Sequence, residues 1–144
     1  MPHEIQPARP EPDDRYAIVV AQWNQSVTKV LLEGATETLR AAGVPDVHID
    51  VAWVPGSWEI PLVAQRFAEG GLHAAVICLG VVVRGETSHD QHINRGVSLA
   101  ISQISLQFDV PVLFGILTCE SMEQAVDRAG GAHGNKGSEC AEAA

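Results

Sequence analysis

Four apolar, β-branched runs separated by stretches of helical spacing constrain this chain more than any other feature. The runs are Tyr16-Ala-Ile-Val-Val-Ala-Gln22, Val47-His-Ile-Asp-Val-Ala-Trp53, Ala74 to Leu79, and Val110 to Leu117. Each is too short for a buried helix and rich in the residues that pack well on a pleated surface, so each reads as a strand. Between the first two, Val30, Leu31, Ala35 and Leu39 recur at helical spacing, which predicts a helix over 27–42 with Ser26 as N-cap and Gly43 as its stop. A turn at Pro55-Gly56 leads to a short helix over 59–68. Gly80 to Ser88 reads as a loop, and the helix after it runs to about Gln107 with Ile93, Val97, Ile101 and Ile104 inward. Pro111 is tolerable only near the start of the fourth strand. Ser121-Met-Glu-Gln124 has capping-box form and opens another helix to about Ala129. Gly130, Gly131 and Gly134 break it, and a last helix starts near Gly137. Continuous apolar strands alternating with helices predict a three-layer α/β/α sandwich on a four-stranded parallel sheet.

With 144 residues, the chain is expected to hold one domain, residues 15–144, behind a Pro-rich acidic tail, residues 1–14. The tail carries four of the eight prolines and four acids, which argues against a helix, a signal peptide or a transit peptide. The balance of 9 Lys and Arg against 18 Asp and Glu gives −9, which argues against nucleic acid or an anionic membrane as partner. No apolar run reaches the roughly 18 residues of a membrane span. Cys78, Cys119 and Cys140 are odd in number and not at CxxC spacing, so they read as reduced thiols in a cytoplasmic protein.

Open parallel sheets bind ligands outside the carboxyl ends of their strands. That rule selects Trp23-Asn24, Pro55 to Glu59, Val81 to His89, and the stretch after Leu117. Arg84-Gly-Glu-Thr-Ser-His89 opens a helix, where free N–H groups and the helix dipole favour an anion. Gly85 permits close approach, Thr87 and Ser88 add hydroxyl donors, and His89 exchanges protons near neutral pH. An ordinary capped helix start with a surface His has the same pattern. Trp23 and Trp58 at one sheet edge suit a flat ring; the competing reading makes them satellite core residues. Glu59 could accept from a polyol or ring N–H, or merely complement a helix dipole. Arg128 and Lys136 flank the glycine-rich break; Arg is the natural fork for a phosphate, and both could equally be solvated surface cations. His89 and His92 without a third ligand make a weak metal site. No dinucleotide loop, Walker loop, nucleophile elbow or zincin motif is present.

Taken in order, these segments resemble the lumazine synthase family of riboflavin biosynthesis from about Tyr16 onward. The family pattern is visible in Trp23-Asn24, Val54-Pro-Gly-Ser-Trp-Glu-Ile-Pro61 and Leu79-Gly-Val-Val-Val-Arg-Gly-Glu-Thr-Ser-His89. It continues in Pro111-Val-Leu-Phe-Gly-Ile-Leu-Thr118, Glu123-Gln-Ala-Val-Asp-Arg-Ala-Gly130 and Gly134-Asn-Lys-Gly137. The resemblance implies a flavodoxin-like fold and a cofactor-free, metal-free transferase. It would condense a 5-amino-6-ribitylaminouracil with 3,4-dihydroxy-2-butanone 4-phosphate, through an imine, to the lumazine, phosphate and water. On matching positions, Trp23 would stack on the pyrimidine beside Asn24. Ser57, Trp58 and Glu59 would face the ribityl chain and ring. Val81, Val82 and Val83 would offer backbone hydrogen bonds, and Gly85, Glu86 and Thr87 would hold the butanone phosphate. His89 would transfer protons, Arg128 would pair with the phosphoryl group, Phe114 would close the ring pocket, and Lys136 would lie near the phosphate.

The resemblance further implies that Phe114 and Arg128 serve a neighbouring subunit's site, in a pentamer that many members pack into a sixty-subunit icosahedral shell. The short link from Gly130 to Gly137 matches shell-forming members. Glu86 stands where many members have a small residue, and His92 and Asn94 replace aromatic or aliphatic ones. The family's last helix normally continues past the position of Ala144, and that helix makes assembly contacts. The alternatives are an archaeal-type riboflavin synthase, which would not need the Arg-Gly-x-Thr-x-His site, and a catalytically silent lumazine- or flavin-binding shell protein. A generic flavodoxin-like phosphate module leaves the two tryptophans unexplained.

Overall fold

The alternation of strand and helix is realised along the whole chain in a computed structural model that describes residues 1–144. The order is β1 (Tyr16–Ala21), α1 (Gln25–Ala41), β2 (Ile49–Val54), α2 (Ile60–Glu69), β3 (Ala75–Val83), α3 (His89–Phe108), β4 (Val112–Cys119) and α4 (Met122–Arg128). A small hairpin of β5 (Ala129–Gly131) and β6 (Gly134–Asn135) follows, then α5 (Lys136–Ala143). The main sheet is parallel throughout with order β2-β1-β3-β4. The strand order therefore reverses between β1 and β3, which opens a crevice at their carboxyl ends.

Both faces of the sheet are covered. Ile18, Val20, Ile77 and Leu79 pack with Leu31 and Leu39 of α1, Ala125 of α4 and Cys140 of α5. Val19, Val76, Cys78 and Ile116 pack on the opposite face with Ile60 and Ala64 of α2 and Val97 and Ile101 of α3. β1 and β3 lie inside the sheet and are apolar along almost their whole length, as double-sided burial requires. β2 is an edge strand and alternates in exposure. At the amino end, Asp50 of β2 accepts from Arg15 at 3.3 Å and lies 2.7 Å from His73 Nε2. The Ala74 N–H donates to the Arg15 carbonyl at 2.7 Å. The network ties the starts of β1, β2 and β3 together, and the His73 hydrogen bond holds the Asp50 carboxyl below the usual carboxylate range.

Several boundaries differ from the sequence expectation. Gly80 to Val83 were expected in a loop but extend β3, pairing with Ile116 to Cys119 of β4. Gly80 is a close-approach glycine rather than a turn: a Cβ there would fall 2.6 Å from Ser57 Oγ. Helix α1 is not capped by Ser26. It starts from Asn24, whose backbone is left-handed at φ 61° and whose carbonyl accepts from Val27 and Thr28. Ser121 does cap α4, accepting from the Gln124 N–H. Asp46–His48 form a 3₁₀ turn, so β2 begins at Ile49 rather than Val47. The expected glycine break is a hairpin, made possible by positive φ at Gly130 (94°) and Gly134 (81°).

Candidate active site

A cleft of about 260 Å³ opens at the carboxyl ends of β1 and β3, where the strand order reverses. Trp23 is carried there by an extension of the β1–β2 ladder: the Gln22 N–H donates to Val54 O and the Trp23 N–H to Pro55 O. The left-handed Asn24 then turns the chain into α1, and both residues line the cleft. The two indoles are 66% and 59% exposed, yet each is backed by a glycine. A Cβ at Gly56 would come 2.5 Å from Trp23 Cε3, and one at Gly96 would come 2.8 Å from Trp58 Cζ3. Only a glycine leaves room for each of these rings, and both stay more than half exposed, so each keeps surface open to a planar ligand.

The floor is the end of β3, with Val81 and Val82 buried and Val83 half-buried. Ser57 lines the cleft, and its buried Oγ has no hydrogen-bond partner in the protein. A buried hydroxyl without a protein partner is free to bond a water or a ligand atom in the cleft. The wall opposite is the start of α3, with Gly85, Thr87 and His89. Thr87 Oγ1 accepts from the His89 N–H at 3.3 Å, while the N–H groups of Glu86, Thr87 and Ser88 donate to no protein acceptor. Free N–H groups at the start of a twenty-residue helix favour an anion.

Two of the sequence-derived residues on this side do not line the cleft. The Glu59 carboxylate turns back to accept from the Gly56 N–H at 3.1 Å, which stabilises the turn carrying Trp58. Glu86 is exposed, outside the lining. Phe114, Arg128 and Lys136 lie together in a second cleft of about 410 Å³, and no residue lines both. Arg128 ends α4 and Lys136 opens α5, so the hairpin β5–β6 brings the two cations side by side. Nearby, burial pushes the Cys119 thiol up, against the opposing pull of Arg128; burial likewise raises Cys140, against Lys136.

The sequence reading missed Asp90 and Ile93 in the first cleft and Thr118, His133 and Glu139 in the second. The spacing of 89, 90 and 93 on one helical face was the available signal for the first pair. His133 lies in the loop between two cations that share a cleft. No three His, Cys, Asp or Glu side chains gather into a metal-holding cluster.

The fold and its crevice define a doubly wound α/β protein with a cleft where its strand order reverses. The family model for 6,7-dimethyl-8-ribityllumazine synthase matches residues 13–144. The 6,7-dimethyl-8-ribityllumazine synthase of Pediococcus pentosaceus is 54% identical over 127 residues, covering 88% of this chain and 81% of that protein. This chain belongs to the 6,7-dimethyl-8-ribityllumazine synthase family.

Proposed function

We propose that this protein is a transferase of riboflavin biosynthesis. It condenses 5-amino-6-(D-ribitylamino)uracil with 3,4-dihydroxy-2-butanone 4-phosphate to 6,7-dimethyl-8-ribityllumazine, phosphate and water. The observation that carries this reading is the crevice itself, in which two glycine-backed indoles face a helix N-terminus bearing Thr87 and His89. A flat heterocycle and a phosphate ester need those two environments a few ångströms apart.

The pyrimidine lies on Trp23 with Asn24 beside it, and its carbonyls and N–H groups meet the backbone of Val81, Val82 and Val83. Ser57 and Trp58 face the ribityl chain, with Glu59 holding the turn beneath them. Gly85, Glu86 and Thr87 receive the phosphate through backbone N–H groups and the Thr87 hydroxyl. The 5-amino nitrogen adds to the ketone carbon, and water leaves as the imine forms. Phosphate then departs with the C–O bond electrons, and ring closure with dehydration completes the lumazine. His89 moves the protons in these steps. No cofactor or metal takes part in this scheme.

Arg128 neutralises the departing phosphate and Phe114 closes the ring pocket, with Lys136 at the phosphate end. Their position in a cleft of their own supports a site completed between copies of the chain. The working unit is then a homo-oligomer, a pentamer, with assembly of pentamers into an icosahedral shell as its extension. Three free cysteines support a reducing compartment, the cytoplasm, and no helix is long and apolar enough to cross a membrane.

The test is a rate measurement. The protein mixed with the two substrates should accelerate lumazine absorbance and phosphate release together over the uncatalysed condensation. No acceleration would sink the reading. Light scattering or native mass reads the assembly.

A further inference from the structure

Asn135 bonds both to a distant helix and to the helix that follows it. Its Nδ2 donates to the carbonyl of Val30, in the middle of α1, at 3.1 Å. Its Oδ1 accepts from the Ser138 N–H at 3.1 Å and so caps α5. Its backbone pairs with Ala129 across the β5–β6 hairpin. The amide lies flat on Gly34 of α1, where a Cβ would come within 2.5 Å of both Nδ2 and Oδ1. Gly130, at φ 94°, closes the other side, and its Cβ would meet Val30 and Asn135 in turn. At Gly137 a Cβ would run into the Leu31 carbonyl, so α5 crosses α1 backbone to backbone.

One side chain therefore joins three elements. The hairpin it fixes carries Arg128 immediately before it and Lys136 immediately after it. Helix α1, to which it is fixed, begins at Asn24 beside Trp23. We propose that Asn135 is a positioning residue that holds Arg128 and Lys136 in their shared cleft, ready for a phosphate ester, by clasping their hairpin to α1. The inference rests on the condensation proposed above and adds to it the part that fixes the cations. Neither cation is held firmly by its own contacts: Arg128 makes one long bond, 3.4 Å, to the Gln124 carbonyl. The clasp, not the side chains, holds their bases in place.

Three variants test this, each compared with the unmodified protein whose turnover of the two substrates tests the parent reading separately. Asn135→Ala removes clasp and cap. Asn135→Ser keeps a cap acceptor but cannot reach Val30, and Gly34→Ala leaves Asn135 in place while a methyl displaces its amide. All three should raise KM for the butanone phosphate about tenfold or more. They should leave KM for the pyrimidine unchanged and kcat within about threefold once the phosphate substrate saturates. The inhibition constant of inorganic phosphate should rise in parallel. Gly34→Ala gains helix propensity but presses a methyl on the buried amide, so its thermal unfolding is read beside the kinetics to separate lost affinity from lost folding. Wild-type KM and inhibition constants in Gly34→Ala or Asn135→Ser would overturn the proposal, because capping alone would then account for Asn135. A fall in kcat with both KM values unchanged would overturn it too. If Asn135→Ala does not fold, the other two variants decide the question.

Discussion

The two clefts of this chain are built from opposite materials. The one at the ends of β1 and β3 holds two indoles, three valines and an orphan hydroxyl, and no Lys or Arg lines it. The one beside β4 holds Arg128, Lys136 and His133 against a single acid, Glu139, with Phe114 at its rim. The first can orient a ring but has no fixed cation to neutralise a leaving phosphate. The second can neutralise a phosphate but has only one aromatic. The condensation proposed above needs both sets, and on that proposal a single chain carries two halves of a site.

Breaking the cation half should have the largest effect. Arg128→Ala removes a charge-assisted fork, so KM for the butanone phosphate should rise about 10- to 100-fold in steady-state kinetics. An unchanged KM would remove Arg128 from the site. On the ring side, His89→Ala should lower kcat about tenfold or somewhat more without abolishing turnover. Positioning dominates a reaction that already proceeds in solution. The comparison is sharpened by mixing these two impaired variants at a low concentration of the phosphate substrate. If the halves come from different subunits, co-assembly in equal amounts should make about a quarter of the sites wild type, since each site draws its two halves independently, and lift the rate well above the mean of the two variants. If both halves come from one chain, the mixture should show only that mean. Trp23→Ala should raise KM for the pyrimidine about five- to tenfold and leave that for the phosphate substrate alone.

The smallest effect is expected at the amino end of the sheet, remote from both clefts. The folded Asp50 carboxyl is held low by His73 and Arg15, so in acid the unfolded chain takes up this proton first. Stability from Asp50 is therefore complete above the unfolded carboxylate range and is lost as pH falls through it. Asp50→Asn should cost about 1–2 kcal/mol near pH 7, allowing for its partial exposure, and the difference from wild type should fade below about pH 4 in denaturant titrations.

The sheet and its order of elements were legible because burial on both faces leaves continuous apolar runs, as in Ile18 to Val20 and Val76 to Leu79. Trp23, Trp58 and His89 were legible as well, because each follows a strand on the ligand-binding side. Four features were not. Gly80 reads as a breaker until Ser57 is seen beneath it. Asn24 hides its role as the start of α1, because Ser26 has the better cap chemistry and no strain. Gly56 and Gly96 look like ordinary small residues, and only the fold shows indoles lying on them. Asn135 sits in a glycine-rich stretch whose meaning depends on a carbonyl 105 positions earlier in the chain. Periodicity reports which face a residue takes. It does not report which backbone will press against it.

The left-handed turn at Asn24 has a consequence for how such a site can change over time. Asn24 lines the ring cleft and also holds a backbone conformation that few side chains tolerate. The cleft lining and the chain's entry into α1 are thus written in one letter. Most replacements that would alter recognition also strain the start of α1, and selection meets both effects at once. Glycine deletes the amide and keeps the turn with the least strain, with aspartate next. Asn24→Gly is therefore the narrow passage through which a chain of this design could trade its ligand without loosening its first helix.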